Sequence, residues 1–236
     1  MKATATTETY TLTLQAALPI GIRYVREQPT RLHLVRHGEV DEAYHQVFGG
    51  SIDMELSATG HEQAKGLAKF LQGRNFDHIY RSPMVRVRQT AKPLLDALGR
   101  EAEVIDELRE VDFGVWTGHK WHEIQEKFGV DAEDWLVHLE NGDVAEAEPM
   151  DGYRSRIRGS LEQMMGEGAG QDVLVLCHGG VIRMLLALLL DEPFSKMDRF
   201  EVDFASLTVI EHRSNRAEIK LHNFAPWLWL GENGAA

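Results

Sequence analysis

The chain of 236 residues carries 25 Lys and Arg against 37 Asp and Glu, a formal net charge of −12. That acidity argues against general nucleic-acid binding and against docking on an anionic membrane surface, both of which need basic patches. The hydrophobic fraction of 43% is ordinary for a globular protein, and the length suits one large α/β domain with a sizeable core.

Residues 1–30 read as an N-terminal extension. Within it, Thr9-Tyr10-Thr11-Leu12-Thr13-Leu14 alternates like an exposed strand and Pro19-Ile20-Gly21 marks a turn. From Arg31 onward strands and helices alternate. Residues 32–36 predict a buried strand. Thr59 with Glu62 predicts a capping box, and Ala64, Leu67, Ala68 and Leu71 form one helical face up to Gly73. Residues 76–80 predict the next strand. Ser82-Pro83 reads as an N-cap with proline at the first helical position, opening a helix to Leu98 with Gly99 just past its end. Residues 103–108 predict a further strand.

After Gly118 the pattern changes. Residues 121–128 and 132–139 predict short helices, followed by an acidic stretch over 140–148 broken by Gly142. Such a segment is either a solvated surface insertion or a lid over a ligand. Residues 153–165 predict a helix, 172–177 a strand, 180–190 a helix, and 207–211 and 218–222 late strands. The expected fold is therefore α/β, with a mostly parallel central sheet, helices on both faces and a small helical lid insertion. The expected organisation is an extension over 1–30, a domain over 31–225 with its insertion at about 119–152, and a tail over 226–236.

Cys177 is the single cysteine, so no intramolecular disulfide framework is available, which suits a reducing compartment. No apolar run with a small-residue cleavage site marks a signal peptide, and the greasy run at 185–190 falls far short of the ~20 residues of a membrane span. A cytoplasmic location is expected.

Leu34-Val35-Arg36-His37-Gly38-Glu39 ends the first strand, and Cys177-His178-Gly179-Gly180 ends a later one. A neutral imidazole can attack phosphorus, and an adjacent guanidinium holds phosphoryl oxygens bidentately. Gly38 and Gly179 leave room for a ligand to approach the backbone. Strand C-terminal ends line the ligand crevice of a doubly wound sheet, so both histidines can face one site. His37 is the candidate nucleophile and His178 the second imidazole, stabilising charge in transfer.

Arg86 lies one turn into its predicted helix, where the N-terminus favours anions, while Arg88 points elsewhere and reads as a surface residue. A leaving alkoxide needs a proton, and Glu110 and Asp112 are equal candidates on the sequence alone. His119 and His122 lack a third metal ligand at a suitable spacing and read as surface residues. Cys177 reads as a small strand residue, and Trp227 and Trp229 as packing for the tail.

Five segments in order carry a resemblance to the histidine phosphatase superfamily, which includes cofactor-dependent phosphoglycerate mutases and α-ribazole phosphatases. They are Leu34-Val35-Arg36-His37-Gly38-Glu39; Gly50-Ser51-Ile52-Asp53 leading to Leu56-Ser57-Ala58-Thr59-Gly60; and Ser82-Pro83-Met84-Val85-Arg86-Val87-Arg88-Gln89-Thr90-Ala91. Leu108-Arg109-Glu110 with Phe113-Gly114-Val115-Trp116-Thr117-Gly118, and Cys177-His178-Gly179-Gly180-Val181-Ile182-Arg183, complete the set.

The resemblance implies that His37 becomes phosphorylated, that Arg36, Arg86 and His178 bind the phosphoryl group, and that Glu110 rather than Asp112 is the acid. It also implies a phosphomonoester hydrolase acting on a small phosphorylated metabolite, with no cofactor and no metal. The expected partner is that metabolite, without nucleic acid or membrane, and a homodimer is left open.

This chain departs from the family pattern at Val40, Ala43 and Gly49, where many members carry polar residues; Tyr44, His45 or Gln46 are the available substitutes. Asp151-Gly152-Tyr153 likewise stands where a Gly-Glu-Ser segment is common. The 68 residues from Glu110 to His178 (178 − 110) are fewer than the resemblance associates with phosphoglycerate mutases, which favours hydrolysis over mutase-type transfer. A non-catalytic phospho-ligand binder on the same scaffold is the alternative from another class.

Overall fold

The computed structural model describes residues 28–214 and 216–228. The strand anticipated at 9–14 and Trp229 lie outside these residues.

Thr30–Arg36 forms strand β1 and Asp172–Cys177 forms β4, two apolar runs buried on both faces as central parallel strands require. They pair in parallel, with Arg36 opposite Cys177. On the other side of β4 lie β2 (His78–Arg81) and the two-residue β3 (Glu103–Val104), both parallel. Beyond β1 come β5 (Leu207–Arg213) and β6 (Arg216–Phe224), which run antiparallel. The six-stranded order is β3-β2-β4-β1-β5-β6.

Helices α1 (Ala58–Leu71) and α2 (Val85–Leu98) cover one face. Leu67, Leu71, Val87 and Leu94 pack there on Val35, Ile79, Leu174 and Leu176. Helices α5 (Met150–Glu167) and α6 (Gly179–Leu190) cover the other, against Leu32, Leu34, Val173, Val175 and Cys177. Residues 173–177 thus alternate between two cores, following the two-residue period of a strand. Burying each such Leu or Val stabilises the fold by about 1.5–3 kcal/mol. Helices α3 (Trp121–Phe128) and α4 (Trp135–Asn141) form the insertion, joined by a 3-10 turn at Ala132–Asp134.

Several local expectations are corrected. The N-cap of α1 is Ser57, whose hydroxyl accepts from Gly60 N at 2.9 Å; Glu62 pairs instead with Lys65. Helix α2 begins at Val85 rather than at Pro83. Its cap comes from a distant loop, since Asp53 Oδ1 accepts the Val85 N–H at 2.7 Å. That long-range partner has no signature in the local sequence. The strand expected over 103–108 stops after Val104, and Asp106–Leu108 is a 3-10 turn.

The acidic stretch is anchored at both ends. Glu140 accepts from Phe194 N (2.8 Å) and Ser195 N (3.1 Å), and Glu148 grips Arg156 through Nε (2.6 Å) and Nη2 (2.8 Å). Burial pushes the Glu140 carboxyl up, but bonds from Ser195 and Phe194 and the nearby Arg154 outweigh it, holding it below the usual range.

Candidate active site

The β1–β4 register decides where the site lies. Because Arg36 opposes Cys177, the next residues, His37 and His178, leave the sheet side by side at its C-terminal edge. The chain then turns to opposite faces, toward α1 after β1 and directly into α6 after β4. A crevice opens between neighbouring parallel strands whose connections diverge in this way. Their ring centroids are 5.3 Å apart.

His37 is 5% exposed, and its Nδ1 lies 2.8 Å from Gly38 O. A carbonyl only accepts, so Nδ1 carries the proton and Nε2 keeps its lone pair. Burial, reinforced by the Arg86 and Arg36 guanidiniums, holds this imidazole well below its ordinary pKa, so it is neutral at pH 7. Gly38 is required where it stands, because a Cβ there would meet Gly60 O of α1 at 2.7 Å.

His178 is fully buried as the N-cap residue of α6. Arg86 Nε donates to its Nδ1 at 3.2 Å, which leaves the proton on Nε2, donated to Ser82 Oγ at 2.8 Å. Ser82, expected only to cap α2, is therefore a fixed partner of the second histidine. Arg86 is 1% exposed and also donates to Ile52 O (2.8 Å) and Gly50 O (3.3 Å). Arg36 donates to Val202 O at 2.5 Å and lies 4.0 Å from the Phe204 ring centroid, its Nε buried and unpartnered. Burial lowers both guanidiniums to about 10, still cationic at neutral pH.

Glu110 reaches the same edge from the loop after the 3-10 turn. Its Oε2 accepts from Gly180 N (3.1 Å) and its Oε1 from Val111 N (3.0 Å). Arg156 clamps that loop, donating to the carbonyls of Glu107, Arg109 (2.8 Å) and Glu110 (3.3 Å). Asp112 is otherwise engaged: its Oδ1 accepts from Gly114 N and Thr117 Oγ1 within a turn. Geometry thus separates two carboxylates that the sequence alone left equal.

A cavity of about 770 Å³ opens over this edge, lined at its base by Arg36, His37, Glu110, Gly179 and Gly180. Arg86, His178 and Gly38 do not line it; the His178 ring packs beside His37, and Arg86 is bonded to His178. Tyr44, His45 and Gln46 line the outer part, where Val40 and Gly49 also stand, so substitutes for the missing polar residues are in reach. His122, expected as a plain surface residue, is on the rim. Arg183 was missed as a site residue. The signal was present, since it lies one helical turn after Gly179 and therefore on the same face of α6. Arg88 is exposed, and Cys177 is a buried strand residue whose thiol burial pushes up. Trp227 packs the tail, donating to Phe204 O at 2.9 Å.

Gly180 carries a direct prediction. A Cβ there would lie 2.4 Å from Glu110 Oε1. Gly180→Ala is expected to push the carboxylate aside and lower kcat by about tenfold or more, with little change in melting temperature. A variant with wild-type kcat would show that Glu110 is placed with slack.

Residues 32–225 match the model of the histidine phosphatase superfamily, branch 1. The chain is 32% identical over 186 residues to phosphoserine phosphatase 1 of Hydrogenobacter thermophilus, covering 79% of this chain and 88% of that protein. It is 26% identical over 193 residues to the adenosylcobalamin/alpha-ribazole phosphatase of Escherichia coli, covering 82% and 95%. A crystal structure of phosphoglycerate mutase from Bacillus anthracis shares the fold, with a TM-score of 0.74 at 23% identity over 88% of this chain and 98% of that one. By a match that spans both strand-end histidines and the loop of Glu110, the chain belongs to the histidine phosphatase superfamily, branch 1.

Proposed function

We propose that this protein hydrolyses a small phosphorylated metabolite through a phosphohistidine formed on His37. One observation carries the reading: Nδ1 of His37 is held by Gly38 O, leaving a neutral imidazole with a free Nε2 on the floor of the cavity. In the first step Nε2 bonds to phosphorus, the ester P–O bond breaks, and Glu110 gives its proton to the departing alkoxide. In the second, Glu110 takes a proton from water, the water oxygen attacks phosphorus, and the P–N bond breaks to release inorganic phosphate. The Arg36 and Arg86 guanidiniums offset the charge on the phosphoryl oxygens, so the steps need no metal. His178 acts from behind Arg86, fixing that guanidinium while Ser82 fixes its own ring.

Support for hydrolysis over mutase-type transfer comes from the relatives named as phosphatases at 32% and 26% identity. A mutase must also keep water from its phosphoenzyme. The test is release of phosphate from 4-nitrophenyl phosphate in excess EDTA, alongside 3-phosphoglycerate with a bisphosphoglycerate primer. Sustained hydrolysis with no 2-phosphoglycerate is expected. Loss of activity with the chelator would overturn the metal-free mechanism, and efficient isomerisation with little free phosphate would overturn the hydrolase. Binding of phosphate with no turnover of any ester would favour the non-catalytic alternative.

A further inference from the structure

The phosphohistidine chemistry leaves one buried hydroxyl beside the acid unused. Tyr153, in the first turn of α5, is fully buried, and its hydroxyl has no hydrogen-bond partner among the described residues. Its ring is fixed from two sides. Phe194 packs edge-on with centroids 5.8 Å apart, and the Arg156 guanidinium carbon lies over the ring at 4.6 Å from its centroid. Glu148 holds that guanidinium in turn. A Cβ on Gly180 would stand 2.4 Å from Glu110 Oε1 and 3.3 Å from the Tyr153 hydroxyl oxygen. The carboxylate and the phenol therefore border one small space that Gly180 keeps open. Tyr153 also falls in Asp151-Gly152-Tyr153, one of the segments where this chain departs from the family pattern.

Among the described residues the Glu110 carboxyl group is bonded only by Val111 N and Gly180 N. Its charge acts on Arg36, Arg86 and Arg183, but none of the three bonds to it. Two donors suit an acid whose proton faces an ester oxygen. They fall short for the ionised carboxylate, which offers about four acceptor sites. Burial, reinforced by the Glu110 carboxylate, holds the Tyr153 phenol well above its ordinary pKa, so it keeps its proton at pH 7. Resting on the hydrolase reading above, we propose that Tyr153 is a positioning residue for the acid step, its hydroxyl closing a hydrogen bond to Glu110 Oε1 as that residue gives up its proton. In this step the Glu110 O–H bond breaks and the proton passes to the departing ester oxygen. The tyrosine O–H bond stays intact while its hydrogen bond forms. A bond made only to the emerging carboxylate strengthens the acid in the transition state and leaves substrate binding unchanged.

The experiment compares phenyl phosphate with 4-nitrophenyl phosphate, two esters alike around phosphorus whose leaving groups differ in their need for a proton. The readout is kcat/KM for each in wild type and in Tyr153→Phe. The variant is expected to lose about tenfold on phenyl phosphate, the scale of one charge-assisted hydrogen bond. It should change little on 4-nitrophenyl phosphate, whose anion leaves unprotonated. In a Glu110→Gln background, which has no acid proton to give, the same substitution is expected to change neither rate. Because the hydroxyl is unbonded in the resting enzyme, the melting temperature should hold or rise. Equal losses on both esters, or the same loss in the Glu110→Gln background, would mean that Tyr153 acts by packing alone, and the role would be overturned. So would a variant that matches wild type on both esters. A wild type that turns over neither ester overturns the hydrolase reading and this role with it, whereas turnover with an unchanged ratio overturns only the role of Tyr153.

Discussion

His37→Ala is expected to remove turnover almost entirely, lowering kcat by about four orders of magnitude, the scale on which enzymes lose activity with their nucleophile. The substitution removes the imidazole proposed to form the phosphoenzyme, and among the described residues nothing else at the cavity base replaces it. Arg36, Glu110, Gly179 and Gly180 supply charge, a proton and backbone, but no free imidazole. His178 cannot substitute, because both its ring nitrogens are held by Arg86 and Ser82. Rapid quench with a phosphorylated substrate should trap an acid-labile phosphohistidine in wild type and none in the variant. An alanine variant retaining a few per cent of wild-type kcat would overturn the covalent route. The same imidazole sets the acid limb of kcat/KM. Since burial and two arginines depress its pKa, activity should fall only below pH 6.5, where the ring at last takes a proton and loses its lone pair.

The second large effect is expected at the arginines. Arg36→Ala or Arg86→Ala should cut kcat/KM by about two orders of magnitude or more, as removal of one buried donor from a developing oxyanion does. Arg86 has a further consequence, because its guanidinium joins His178 to the carbonyls of Gly50 and Ile52. Its loss frees a buried imidazole and two carbonyls together, so a lower melting temperature should accompany the lost rate. Neutralising the exposed acids Asp143 and Glu146 should change the rate only modestly and mainly at low salt, since exposed charges are screened over about 10 Å. Glu140 and Glu148 are excluded from that control, as both hold backbone or Arg156 in place. Arginine variants near wild type beside a collapsed acidic variant would move the site elsewhere.

Much of this was legible in the residues. Apolar runs of strand length, helical faces such as Ala64, Leu67, Ala68 and Leu71, and punctuation by Gly99 are local signals. They specified a mostly parallel α/β sheet and put histidines at two strand ends. Hydrophobic periodicity survives in one dimension because a strand or helix face is built from residues near in sequence. Contacts between distant segments leave no such trace. The choice of Glu110 over Asp112 required the Gly180 N–H and the turn at Gly114, and the cap of α2 required Asp53 from another loop. Ser82 became a partner of His178 only when β2 and β4 paired, and Arg183 joined the cavity only when α6 packed its first turn beside Glu110. The sequence by itself thus determined the fold class and the chemical types gathered at the site. Tertiary structure decided which carboxylate faces the cavity, what holds the second imidazole and what caps α2, because each depends on partners 30 to 100 positions away.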